Sequence, residues 1–139
     1  MQFAWEWCIT LGASILVIYI HECTLHVIAK RCKPLKMLST MLMLSVSHTF
    51  HIWIYACAYY ALDVWFEFGD IEGCDCTQFT DYVYFSATNY TSLGYGDNIP
   101  QGGIRLLGTF EALVGLLMIG WSTAYAFWWM QRHWLTVEE

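Results

Sequence analysis

Three long apolar stretches alternate with short polar ones along this chain, and their lengths set the topology. Residues 3–28, 38–65 and 104–129 each exceed the roughly 20 apolar residues that a helix needs to cross about 30 Å of hydrocarbon. After the second stretch the chain turns polar through Asp70, Gly73, Cys74, Asp75, Cys76 and Thr77, then half-apolar over residues 79–90. That run is too short to span. It predicts a re-entrant helix at about residues 77–91, started by Thr77 or Thr80 as the N-cap and favoured by Asp81 at its positive end. The expected fold is therefore an all-α membrane protein with three transmembrane helices and one re-entrant helix. Residues 1–36 form a first helix with a basic connection, and residues 37–139 a second unit with long helices at 38–65 and 104–129.

Charge orients these spans. Lys30, Arg31, Lys33 and Lys36 crowd the first connection, which the excess of basic residues in cytoplasmic loops places inside. The N-terminus is then outside, and the third helix returns Arg132 and His133 to the cytoplasm. No Lys or Arg precedes the first stretch, it is long, and no small-residue cleavage site follows, so it is expected to remain in the mature protein rather than act as a cleaved signal. Trp5, Trp7, Tyr59, Tyr60 and Trp65 suit an outer interfacial belt, and Trp128, Trp129 and Trp134 an inner one.

Composition agrees. Hydrophobic residues make up 58% of the 139, charged residues only 13%, too apolar for a soluble domain with a polar surface. The mean hydropathy of +0.43 points the same way. A net charge of −6, with its few cations placed by topology, gives no support to nucleic-acid binding. Nothing in the chain suggests an enzyme or a bound cofactor, and the expected environment is lipid, as an integral protein of the plasma membrane.

The polar segment that follows the re-entrant helix carries the chemistry. Thr91, Ser92, Leu93, Gly94, Tyr95, Gly96, Asp97 and Asn98 contain two glycines at alternate positions. Glycine adopts left-handed conformations without a Cβ clash, so alternate peptides can turn their carbonyls to one side. Rings of such carbonyls replace the water shell of a dehydrated cation. This segment resembles the pore signature of the potassium-channel family, whose usual form is Thr-x-x-Thr-x-Gly-Tyr-Gly-Asp, with Asn89 and Ser92 where the family has threonine.

The resemblance implies a filter at residues 92–97, with K+ as the permeant ion held at Ser92, Leu93, Gly94 and Tyr95 and continued by Gly96. It implies a homotetramer, because one loop supplies a quarter of each carbonyl ring and the chain has no internal repeat. Tyr84 and Phe85 fall where the family carries two tryptophans around the filter tyrosine, and Thr88 where it often carries a glutamate that braces the filter aspartate, here Asp97. Gly115 falls where the family has its hinge glycine. Gly120 is a second flexible position or a close-packing contact, and helical spacing sets Leu116, Ile119, Thr123 and Phe127 beside them along a cavity.

Glu111 is costly inside hydrocarbon and is expected to brace the filter by reaching Thr88, Asn89 or a backbone donor. No helix carries Arg or Lys at every third position, which excludes the usual voltage sensor. Asp63, Glu67, Asp70, Glu72, Asp75 and Asp81 gather near the outer entrance, where repetition concentrates cations. Cys8, Cys23, Cys32 and Cys57 read as buried thiols. Cys74 and Cys76 sit too close in sequence to favour a mutual bond, leaving a link to another subunit or two free thiols. Asn89-Tyr90-Thr91 fits a glycosylation sequon that a pore helix would hide.

The first helix adds His21, Glu22, Cys23 and His26, and antiparallel packing at 1.5 Å per residue brings His21 and Glu22 level with Ser45 and His48. Interhelical hydrogen bonding is the simplest expectation, proton sensing by His21, Glu22 and His48 the next, and metal binding the weakest, since no recognised ligand spacing is present. The function expected is passive, selective K+ conduction. A weakly selective cation channel is the nearest rival, given Asn89 and Ser92. A membrane redox protein ligating haem through His21, His26, His48 or His51 is a distant one.

Overall fold

The computed structural model describes residues 2–31, 37–73, 76 and 78–134. Four helices follow in order: α1 (Gln2–Arg31), α2 (Met37–Tyr60), α3 (Phe79–Tyr90) and α4 (Ile104–Trp134). Three stretches, Ala4–Lys30, Met37–Trp65 and Ile104–Arg132, are long and apolar enough to cross a membrane. The short helix α3 packs between α2 and α4, and α1 lies against those same two helices from outside the pore unit. Lys33, Lys36, Cys32, Cys74, Asp75 and Thr77, which entered the expectations above, lie outside the described residues.

Two features depart from an all-helical reading. Beyond α2 the chain continues through a π-helical turn, Ala61–Trp65, closed by Phe66 N–H to the Ala61 carbonyl. Strands β1 (Ile71–Glu72) and β2 (Ile99–Pro100) then pair antiparallel, Ile71 opposite Pro100. This ribbon joins the loop before α3 to the segment leaving the filter, and Gly103 N–H to the Phe68 carbonyl at 2.7 Å extends it to the start of α4. Alternation of apolar residues is invisible over two residues, so periodicity could not announce it.

The start of α3 also differs. Gln78, not Thr77 or Thr80, is the N-cap, in a reciprocal capping box with Asp81, whose carboxylate accepts the Gln78 N–H at 3.0 Å. Asp63 is likewise committed to structure, accepting the Tyr82 hydroxyl at 2.6 Å, and Glu72 accepts Gln101 Nε2 at 2.9 Å. Three of the six outer acidic residues thus hold the loops together rather than stand free for cations. Burial, reinforced by the Asp63 contact, pushes the Tyr82 phenol well above its ordinary range.

The core gathers Tyr55, Tyr59 and Leu62 from α2 and its π turn, Tyr82, Phe85 and Tyr90 from α3, and Ile104, Leu107 and Val114 from α4. Tyr59 is fully buried there, which corrects its expected place in an interfacial belt; Trp5 and Trp65 do remain exposed. Cys8, Cys23 and Cys57 are free but exposed on the chain's apolar exterior rather than buried. Cys76 is disulfide-bonded within the chain, which corrects both readings left open for it, a free thiol and a link to another subunit.

Candidate ion pathway

The loop expected to form the filter is built directly on the end of α3. Thr91 is the C-cap, Ser92 follows with φ +56°, Ser92 N–H bonds the Asn89 carbonyl at 2.9 Å and Leu93 N–H the Thr88 carbonyl at 2.9 Å. That pair of bonds is a Schellman termination with serine where glycine usually sits. It ends α3 abruptly at Thr91.

From there the backbone alternates. Positive φ occurs at Ser92, at Gly94 (+108°) and at Gly96 (+62°), and not at Leu93 or Tyr95. Alternating handedness turns successive carbonyls to one side of the strand, which is what a column of cation-coordinating oxygens requires. The Tyr95 carbonyl departs from the column in the single chain, since it accepts Asn98 N–H at 3.1 Å. Leu93, Gly94, Gly96 and Asp97 are all exposed.

The Tyr95 side chain points away from that column into the protein. Its ring stacks on Phe85 with centroids 5.8 Å apart and planes 15° from parallel, and its hydroxyl approaches Gly108 of α4. Burial, then Glu111, raises the phenol's pKa, and Arg105 lowers it. Tyr84, the other aromatic expected around Tyr95, is exposed on the opposite face of α3.

Behind this loop, Glu111 is fully buried on α4. The Tyr59 hydroxyl donates to its Oε2 at 2.5 Å, and Ser86 Oγ to its Oε1 at 2.5 Å. Ser86 also lies 2.8 Å from the Ile52 carbonyl, so one hydroxyl proton is shared between two acceptors. Asn89 Nδ2 donates to the Tyr59 hydroxyl at 3.2 Å. Glu111 therefore reaches Asn89 only through Tyr59, and it does not reach Thr88, whose hydroxyl bonds the Phe85 carbonyl. Sequence reasoning missed Tyr59 and Ser86, because a tyrosine near a helix end reads first as an interfacial anchor.

Helix α4 runs unbroken through Gly115. A Cβ on Gly115 would stand 2.1 Å from the Tyr90 carbonyl oxygen, whereas one on Gly120 would meet nothing within 4 Å. The close-packing role expected of Gly120 thus belongs to Gly115, where α4 touches the last turn of α3. Leu116, Ile119, Gly120, Thr123 and Phe127 share one exposed face of α4.

A second polar cluster sits where α1 meets the pore unit. The rings of His21, His48 and His51 stand 5.3, 5.4 and 5.6 Å apart by centroid. The Tyr90 hydroxyl lies between His48 Nδ1 (2.8 Å) and His51 Nδ1 (2.9 Å), and Ser122 Oγ is 2.9 Å from His48 Nε2. Glu22 and His26 are exposed and stand outside it, so the carboxylate expected beside His21 and His48 does not join them.

A short helix delivering an alternating-handed loop between two helices long and apolar enough to cross a membrane is the arrangement of an ion-channel pore. Residues 43–132 match the family model described as ion channel, and the chain belongs to that two-helix, pore-loop family. Neither curated proteins nor solved structures give a match. The protein is an integral membrane protein and not an enzyme.

Proposed function

We propose that the chain is a potassium-selective channel that conducts passively as a homotetramer. The observation that carries this reading is the alternation of backbone handedness over residues 92–96, which supplies same-side carbonyls at Ser92, Leu93 and Gly94. Tyr95 joins them when its peptide is drawn to the axis by a cation and by neighbouring loops. Four chains are needed because each loop provides one oxygen per ring. The exposed face of α4 through Leu116, Ile119 and Thr123 then lines the inner cavity, and the apolar exterior meets lipid. In this reading the N-terminus is outside, the C-terminus cytoplasmic and the membrane that of the cell surface, as the basic residues after α1 favour.

Flux from liposomes containing the purified protein tests it. K+ efflux well above that of Na+, together with a four-chain band on cross-linking, is the expected result. Equal permeation of the two ions favours the weakly selective reading, for which Ser92 and Asn89 in place of threonine speak. Potassium flux from a monomer or dimer removes the assembly.

A further inference from the structure

The hydrogen bonds around the three histidines have a direction fixed by proton count. Thr24 gives its hydroxyl proton to the Ile20 carbonyl, so Ser47 is the donor in its 3.2 Å contact with Thr24. Ser47 Oγ is left to accept, and takes the Nε2–H of His51 at 3.4 Å. His51 Nδ1 is then bare and accepts the Tyr90 hydroxyl, which in turn accepts Nδ1–H of His48. His48 Nε2 accepts from Ser122, and Ser122 accepts Nε2–H of His21 at 3.4 Å. Every ring is neutral in this chain. It ends on His21 Nδ1, a lone pair with no partner among the described residues, on a side chain that is 0% exposed.

An unused imidazole lone pair inside a membrane protein is costly unless something else takes it. One ring nitrogen from each of His21, His48 and His51 lies within 4.8 Å of those of the other two. We propose that these three histidines form a binding site for a divalent transition metal, Zn2+, that ties α1 to the pore unit. Neutral imidazoles suit Zn2+ and its neighbours, while K+ and Mg2+ prefer oxygen. Tetrahedral coordination at about 2.0–2.1 Å sets ligand nitrogens roughly 3.3 Å apart, so the rings must close by rotation from their present spacing. Zn2+ takes the three bare ring nitrogens, displacing the Ser122 hydroxyl proton from His48 Nε2 and the Tyr90 hydroxyl proton from His51 Nδ1, and water completes the four-coordinate shell.

Access exists as well. A cleft of about 300 Å³ between α2 and α4, lined by Met41, Ser45, His48, Ile119, Ser122 and Thr123, reaches the cluster at His48 and Ser122. His48 and His51 are three residues apart and share a helix face, whereas His21 comes from another helix, which is why no ligand spacing is visible in the sequence.

Metal binding to the purified full chain tests the proposal without reference to conduction. Equilibrium binding of Zn2+ is expected to give one site per chain with micromolar or tighter affinity. Co2+ in the same site is expected to show four-coordinate ligand-field bands without a sulfur charge-transfer band. His21→Ala is expected to weaken binding by about 100-fold or more, since losing even an outer partner of a ligand costs 10–100-fold; His26→Ala leaves it unchanged. The wild-type measurements stand even where a variant folds poorly. Less than one Zn2+ per chain at saturation, a sulfur band pointing to Cys8, Cys23 or Cys57, or parental affinity in a folded His21→Ala protein would each overturn it.

Discussion

The Tyr59 hydroxyl donates to Glu111 across 2.5 Å in the fully buried space behind the proposed filter. The contact joins α2 to α4, and Ser86 and Asn89 bring in α3, so three helices share one carboxylate. Leaving a buried partner unpaired costs about 1–3 kcal/mol. Tyr59→Phe deprives Oε2 of its donor, and Glu111→Ala deprives Tyr59 of its acceptor. Both variants are expected to unfold at lower temperature in detergent than the parent.

Glu111→Gln separates hydrogen bonding from charge. A glutamine keeps one oxygen for Tyr59 and offers an amide N–H to Ser86, which is then free to give its whole proton to the Ile52 carbonyl. Thermal stability and ion selectivity close to the parent are expected. If Glu111→Gln falls as far as Glu111→Ala, the negative charge itself is required and the brace described above is wrong.

How much of this was legible in the sequence differs between fold and site. The three spans follow from apolar length alone, because hydrocarbon thickness imposes it. The filter glycines follow from backbone sterics, since few other residues tolerate positive φ. Tyr59, Ser86, Tyr90 and Ser122 were not legible in the roles they take. Each acts through a partner 25 to 101 residues away in sequence, and only packing decides which hydroxyl meets which acceptor. Gly115 and Gly120 look alike in a string of letters, and the distance to Tyr90 alone tells them apart.

Ser92 holds φ +56° without being glycine, a conformation that costs an ordinary residue roughly 1–2 kcal/mol. Ser92→Gly should relieve most of that and raise the unfolding temperature. The same change deletes the one side-chain oxygen at the start of the proposed filter, so K+ over Na+ preference should fall. Stability and selectivity moving in opposite directions is the signature; a Ser92→Gly protein that is less stable than the parent would show that the serine side chain, not its backbone, holds the turn.

Gly94 and Gly96 should respond unequally to alanine. Neither position has an atom within 4 Å of an added Cβ, so the penalty comes from dihedral strain and not from collision. Gly96, at φ +62°, lies in the left-handed well that alanine enters at about 1–2 kcal/mol. Gly94, at φ +108°, lies beyond that well, where side chains are rarer still. Liposome flux is expected to collapse in both, with Gly94→Ala the less stable protein. Normal K+ current through Gly96→Ala would show that the loop does not line the pathway.

Gly115→Ala and Gly120→Ala form the sharpest pair. At Gly115 the added methyl meets the Tyr90 carbonyl oxygen at 2.1 Å, a backbone atom at the very end of α3 that cannot swing aside. Accommodation requires α4 to move off α3, which disturbs the Tyr90 contacts with His48 and His51 and the turn that launches the filter. Overpacking of this kind costs about 1–3 kcal/mol or more. At Gly120 the methyl enters open space on the exposed face, and alanine's helix propensity contributes up to about 1 kcal/mol in its favour. Thermal unfolding in detergent should therefore fall for Gly115→Ala and hold or rise for Gly120→Ala. The reverse order would mean that Gly115 serves as a hinge with room to spare and that the tight seam between α3 and α4 lies elsewhere.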